Sequence, residues 1–113
     1  MPNWVMFARD INLEFGTHYQ PDDLCRPEWV HEEIKRLGYV LETRIITKDE
    51  VDAKRRENGL APMPEFRESF AYRLAGPIYE SPGAHSSPLV PTLDMCCGTA
   101  LYNLHRDLKR RRQ

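Results

Sequence analysis

The sequence predicts an α+β fold, with a three- to four-stranded, mostly antiparallel sheet and two or three helices packed on one face. Segments with apolar residues at every second position alternate with segments whose apolar residues recur at helical spacing. The 113 residues fit one domain, 1–113, with a single modest core. A composition of 41% hydrophobic and 29% charged residues argues against a disordered tail and against a membrane protein.

The first predicted element is a strand over residues 4–15, either continuous or broken into two near Arg9. Its apolar side chains fall on odd positions, which is the period of a strand: Val5, Phe7, Ile11, Leu13 and Phe15. Residues 16–24 are polar and turn-rich, and we expect a loop there.

Residues 27–37 are predicted to form a helix. Pro27 suits the first helical position, and Val30, Ile34 and Leu37 recur at the spacing of one helix face. Gly38 stands where a left-handed residue commonly ends a helix. The β-branched segment 39–46 that follows predicts a strand.

Thr47 followed by Glu50 is a capping-box pattern, and it predicts a helix that continues to Glu57. The apolar face of this helix is thin, so we expect the helix to lie on the surface. Alternation over residues 66–74 predicts a half-buried strand, and residues 81–91 are a loop rich in Pro, Gly and Ser.

The last predicted helix begins after Thr92 as its N-cap and runs to the basic C-terminus. Its apolar residues form a continuous stripe: Leu93, Cys96, Cys97, Ala100, Leu101, Leu104 and Leu108. Gly98 interrupts this helix at a cost of about 1 kcal/mol relative to Ala, and a close helix–sheet approach is one reason for it.

Residues 105–113 form a basic helix end on an otherwise acidic chain. Five basic side chains against Asp107 give this end +4, so the remainder of a chain of net charge −1 carries −5. The basic residues are Arg106, Lys109, Arg110, Arg111 and Arg112. They either stabilise the negative end of the helix dipole or contact an acidic protein surface or nucleic acid.

The cysteines offer a candidate nucleophile. The segment Asp94-Met95-Cys96-Cys97-Gly98, with Tyr102 after it, resembles the cysteine segment of NlpC-type hydrolases, which also opens a helix. That resemblance implies a reactive Cys97. His105 lies eight residues further on the same helix, about 12 Å away, which is too far for a nucleophile–base pair. The alternative is that both cysteines are core residues.

Two other kinds of site are considered: an N-terminal proline amine and a metal or cofactor site. Pro2 before an apolar segment resembles the N-terminal proline of the tautomerase superfamily, which would make the Pro2 amine a general base. No metal-ligand spacing and no phosphate-binding glycine loop is present, so we expect no metal site and no cofactor.

Arg67 and Arg73 stand on the polar side of the predicted 66–74 strand. If that face of the sheet is uncovered, they form a flat binding surface; otherwise they belong to a solvated sheet face. If the strand lies at an edge, it could pair with a second copy to give a homodimer.

These observations favour a small, non-enzymatic, cytoplasmic interaction module: a regulator, an inhibitor or an accessory protein of a mobile element. We expect its partner to be a protein rather than a membrane. The alternatives are a nucleic-acid or nucleotide binder that uses the basic helix end and a small enzyme that uses Cys97 or Pro2. Three cysteines, an odd number, favour reduced thiols in a cytosol, and no N-terminal secretory signal is recognisable.

Overall fold

The structure, a computed structural model, describes residues 3–64, 69–79, 85–86, 90 and 92–112. Its elements run in the order α1 (Trp4–Phe15), α2 (Pro21–Leu24), α3 (Pro27–Arg36), β1 (Val40–Ile46), α4 (Lys48–Glu57), β2 (Ser69–Ala75), β3 (His85–Ser86) and α5 (Leu93–Arg112). The mixed helix-and-strand class predicted from the sequence is confirmed. Its sheet has fewer full-length strands than predicted.

The predicted strand over residues 4–15 is wrong, because this segment is helix α1. Phe7, Ile11 and Phe15 are four residues apart, so they fit one helix face as well as one strand face. The other two odd-numbered apolar residues, Val5 and Leu13, are 68% and 78% exposed.

Capping residues at both ends fix α1 as a helix. The Asn3 side chain accepts a hydrogen bond from the Met6 amide at 3.1 Å. At the other end, Gly16 adopts φ 68° and donates its amide to the Asn12 carbonyl at 2.9 Å. The predicted loop that follows contains the one-turn helix α2.

The remaining long elements agree with their predictions to within a few residues. The α3 helix ends with Leu37 as its C-cap, and Thr47 caps α4 by accepting from the Glu50 amide at 3.4 Å. Thr92 likewise accepts from the Met95 amide at the start of α5. The N-terminal part of the predicted 66–74 strand lies outside the described residues.

The sheet is built on the long antiparallel pair β1–β2, with the two-residue β3 added on the far side of β2. In this register Leu41 pairs with Leu74 and Thr43 with Tyr72. Leu41, Leu74 and Tyr72 are buried beneath α3 and α5, whereas Glu42 and Arg73 on the opposite face are exposed. Helices therefore cover one face of the sheet, as predicted.

A single cluster of buried side chains joins the helices to the sheet. Its fully buried members include Ile11 of α1, Ile34 of α3, Leu74 of β2 and Leu101 of α5. The Gly98 position allows a close approach of α1 rather than of the sheet, since a Cβ atom there would lie 3.1 Å from the Trp4 ring. The long α5 helix is thus the central support of the fold.

Candidate functional site

The C-terminal ends of three helices lie at one end of the molecule. Trp4 of α1 packs at Gly98, near the start of α5, and Phe15 at the end of α1 stacks on His105, with ring centroids 5.4 Å apart. The start of α3 is near Cys97, where Glu28 contributes to the thiol's environment, and Glu33 lies next to His105. The end of α1 and the Glu33 side chain of α3 therefore both lie close to His105 of α5.

This arrangement adds the basic end of α3 to the basic end of α5. We call the combined surface the basic pole, and it consists of Lys35, Arg36, Arg106, Lys109, Arg110, Arg111 and Arg112. Positive side chains at helix C-termini stabilise the negative ends of the helix dipoles, so the local sequence and the packing favour the same arrangement.

A half-buried polar network supports the basic pole from beneath. The Tyr19 hydroxyl donates to Glu33 Oε2 at 2.6 Å and lies 2.8 Å from His105 Nε2. Because its single proton is used on Glu33, Tyr19 accepts from His105, whose Nε2 must carry a proton. Arg36 donates to both carboxylate oxygens of Glu33, at 2.7 Å each.

The electrostatics of the network follow from its burial and its ion pair. Hydrogen bonding from Arg36 holds the pKa of Glu33 below its ordinary value. Burial lowers the pKa of His105, and Arg112 and Arg36 lower it further, while Glu33 opposes them. Burial, with the Glu33 carboxylate next, raises the pKa of Tyr19. The result is a neutral His105 and an ionised Glu33 at neutral pH.

The cations of the basic pole differ in how far they are engaged within the chain. Lys109 donates to the Glu14 carbonyl at 3.4 Å, and Arg111 donates to the Ile78 carbonyl at 3.2 Å. Arg106 lies 3.5 Å from Asp107. Within the basic pole, the exposed cations without a hydrogen-bond or ion-pair partner among the described residues are Lys35, Arg110 and Arg112.

A small groove opens beside these cations. Phe15, His105 and Leu108 line its apolar part, and its charged rim carries Glu14 as well as Lys109 and Arg112. Its volume of about 160 Å³ is below the usual size of a cofactor or drug-sized ligand site. The surface is therefore suited to side chains presented by a larger partner.

Arg73, one of the two arginines of the predicted sheet surface, is not part of the basic pole. Arg73 is exposed on the open face of the sheet, where it forms an ion pair with Glu42 at 2.6 Å. Arg67 lies outside the described residues. The open face has a shallow depression of about 430 Å³ whose charges, from Glu42, Arg44 and Arg73, are of both signs.

Cys97 has the environment of a core residue. It is fully buried, and burial raises the pKa of its thiol to about 12, the opposite of the shift that activates a nucleophile. Burial likewise raises the pKa of Cys96 to about 11. His105, which the sequence already placed too far from Cys97 to serve as its base, is hydrogen-bonded to Tyr19. Pro2 lies outside the described residues.

Among the residues that the structure describes, no cluster of three or more His, Cys, Asp or Glu side chains could hold a metal ion. Within the same described ranges, none of the helices is long and apolar enough to cross a bilayer.

Neither a protein-family model, nor a curated protein, nor a solved structure shows significant similarity to this chain. The functional argument therefore depends on the chain's own residues.

Sequence reasoning located the α5 half of the basic pole and missed its α3 half. Lys35 and Arg36 appear in the sequence only as outward-facing residues of an amphipathic helix. It also missed Tyr19, which lies in an apparently ordinary polar loop. A long-range signal such as covariation between positions 19, 33 and 105 would have been needed to find the network.

Proposed function

We propose that this protein is a non-enzymatic binding module that holds an acidic surface of a partner protein through its basic pole. One observation carries the proposal: the ends of α3 and α5 both bear exposed cations, and Lys35, Arg110 and Arg112 have no partner among the described residues. Unpaired cations on neighbouring helix ends attract and orient an acidic partner.

Rigid packing beneath the cations supports binding. Arg36 is held by Glu33, and Glu33 is held in turn by Tyr19, so this part of the surface keeps its position before a partner arrives. A preorganised side chain loses less conformational entropy on binding than a freely rotating one.

The distribution of charge favours an acidic protein patch over a long nucleic acid. The chain outside residues 105–113 carries −5. Double-stranded DNA presents about one negative charge per 1.7 Å, so a duplex that extended past the basic pole would meet an acidic body. A compact acidic patch can contact the cations without that repulsion.

The first test is capture of partners from a lysate of the source cells on immobilised protein, with nuclease, at low and moderate salt. The variant R110E/R112E should lose the captured protein, because it reverses two unpaired cations. The matched control is K54E/R56E, which makes the same change of charge on exposed positions of α4 and should retain the partner.

A second measurement separates protein from nucleic acid. Fluorescence anisotropy compares an acidic peptide of alternating Glu and Ser with a single-stranded DNA oligonucleotide of equal charge. We expect the peptide to bind more tightly and R110E/R112E to weaken it by roughly tenfold or more. The proposal would be overturned if the oligonucleotide bound more tightly than the peptide, or if the wild-type protein and R110E/R112E bound the peptide equally well.

A further inference from the structure

Strand β1 lies at an edge of the sheet that the described residues form. It pairs with β2 on one side. On its other side, no hydrogen bond joins its backbone to any residue that the structure describes. Natural edge strands are commonly protected by proline, by a bulge, by charged side chains, lysine above all, or by a covering helix or loop. Val40–Ile46 contains neither proline nor lysine, and its seven residues pair with β2 in unbroken register.

We propose that two copies of this protein associate through β1, which pairs antiparallel with β1 of the second copy about a two-fold axis at Thr43. The two sheets then become one continuous sheet with β1 and its copy at the centre. This surface is separate from the basic pole, so the proposal is independent of the proposed acidic partner.

The pattern of charges on β1 selects this register. A two-fold axis perpendicular to the sheet keeps each side chain on its own face. Such an axis must lie midway between one residue of β1 and the same residue of the second copy. An axis at Thr43 places Glu42 opposite Arg44 of the second copy. By symmetry, Arg44 then lies opposite Glu42 of the second copy. An axis at position 42 would oppose two glutamates, and an axis at position 44 would oppose two arginines, which is unfavourable.

The same register also pairs the apolar residues of the strand. Val40 is 57% exposed and would lie opposite Ile46 of the second copy. On the other face Ile45, 49% exposed, would lie opposite Leu41 of the second copy. Val40 and Ile45 are large and apolar yet about half exposed in the single chain. The dimer would give each of them an apolar neighbour.

The intramolecular ion pairs of β1 are compatible with this arrangement. Glu42 lies 2.6 Å from Arg73, and Arg44 lies 2.5 Å from Glu50 of α4. All four side chains are substantially exposed, so these pairs are weak and a carboxylate can accept a second arginine. Arg73, Glu42 and Arg44 of the second copy would then form a row of alternating charge across the open sheet face.

The first experiment measures proximity at the two-fold axis by disulfide formation. In a Cys25→Ser background, Thr43→Cys would place two thiols on directly opposed residues, with Cβ atoms about 5 Å apart. The control Val40→Cys is on the same strand, but its two copies would be about 20 Å apart. We expect oxidation to give a covalent dimer of the Thr43→Cys protein at least tenfold faster than of the control; equal rates would overturn the register.

The second experiment tests the charges by sedimentation velocity over a range of concentrations. E42R and R44E should each shift the monomer–dimer midpoint to at least tenfold higher concentration, because each opposes like charges. The double variant E42R/R44E restores opposite charges across the axis, so it should dimerise more tightly than either single variant. It should fall short of the wild-type protein, because Arg73 and Glu50 then face like charges within the chain. K54E, on exposed α4, controls for net charge.

Circular dichroism confirms that each variant is folded. Two results would overturn the proposal: a wild-type protein that sediments as a monomer at every concentration measured, or a double variant that dimerises no more tightly than the single variants.

Discussion

Helices α4 and α5 are both rich in charge, yet the fold uses them in opposite ways. Six residues of α5 are buried, including Cys96, Leu101 and Leu104, whereas none of α4 is buried. The difference lies in the apolar stripe: that of α5 continues for four turns, and that of α4 consists of little more than Val51. Tertiary packing stabilises α5, and local interactions must stabilise α4.

The local interactions of α4 can be named. Thr47 caps its first turn, and Lys48 forms an ion pair with Asp52 one turn later. After the helix, the chain folds back on it: the Met63 amide donates to Asp52 at 3.1 Å and Arg55 donates to the Ala61 carbonyl at 2.6 Å. These contacts lie within residues 47–64, which we call the α4 arm. The comparison teaches that a charged helix can form beside a core without contributing to it.

The largest expected effect on stability comes from shortening one apolar side chain in α5, compared with the same kind of change in α4. Leu101→Ala in α5 removes a fully buried side chain and should lower the free energy of unfolding by about 2–5 kcal/mol. Val51→Ala in the α4 arm should change it by less than about 0.5 kcal/mol. Urea unfolding followed by circular dichroism measures both. Similar losses would show that the α4 arm belongs to the cooperative core.

A smaller effect is expected from the polar network that joins α3 and α5. Tyr19→Phe removes the hydroxyl between Glu33 and His105 and leaves the buried Glu33 and the half-buried His105 without that partner. We expect a loss of about 1–3 kcal/mol in the free energy of unfolding. The control Tyr102→Phe removes a hydroxyl bonded to the exposed Glu14 and should be nearly neutral. Equal losses would contradict the assigned role of the network.

The smallest expected effect is a pH dependence of stability that arises from His105 and Glu33. The lowered pKa of His105 means that, below its ordinary value of 6.5, the unfolded chain binds a proton that the folded chain does not. Stability should therefore fall as pH drops below 6.5, and Glu33 should add a further fall below its ordinary 4.5.

Urea midpoints at about pH 7.5 and about pH 5.5 measure the histidine part of this dependence. His105→Gln keeps a nitrogen donor but does not titrate, so the difference between the two midpoints should shrink. An unchanged difference would assign the pH dependence to other groups.

Local signals in the sequence determined much of the fold. The caps and periodicity of α3, α4 and α5 each lie within one short segment, as does the β-branched run of β1. Residues 4–15 show the limit of such reasoning. Phe7, Ile11 and Phe15 satisfy both a strand and a helix, because a spacing of four residues belongs to both periods. In the structure Asn3 and Gly16 cap the helix, and packing against α5 buries its inner face.

The candidate site divides in the same way. The sequence by itself determined that α5 ends in a run of cations, because helix spacing and charge can be read residue by residue. Only the tertiary structure brought Arg36 of α3 and Arg112 of α5 close enough to act on the same side chain, His105, and placed Tyr19 between Glu33 and His105. Likewise, alternation showed that β1 and β2 were strands, whereas their order, which leaves β1 rather than β2 at an edge, came from long-range pairing. Such contacts depend on how buried faces fit together in three dimensions, and a linear pattern does not encode that fit locally.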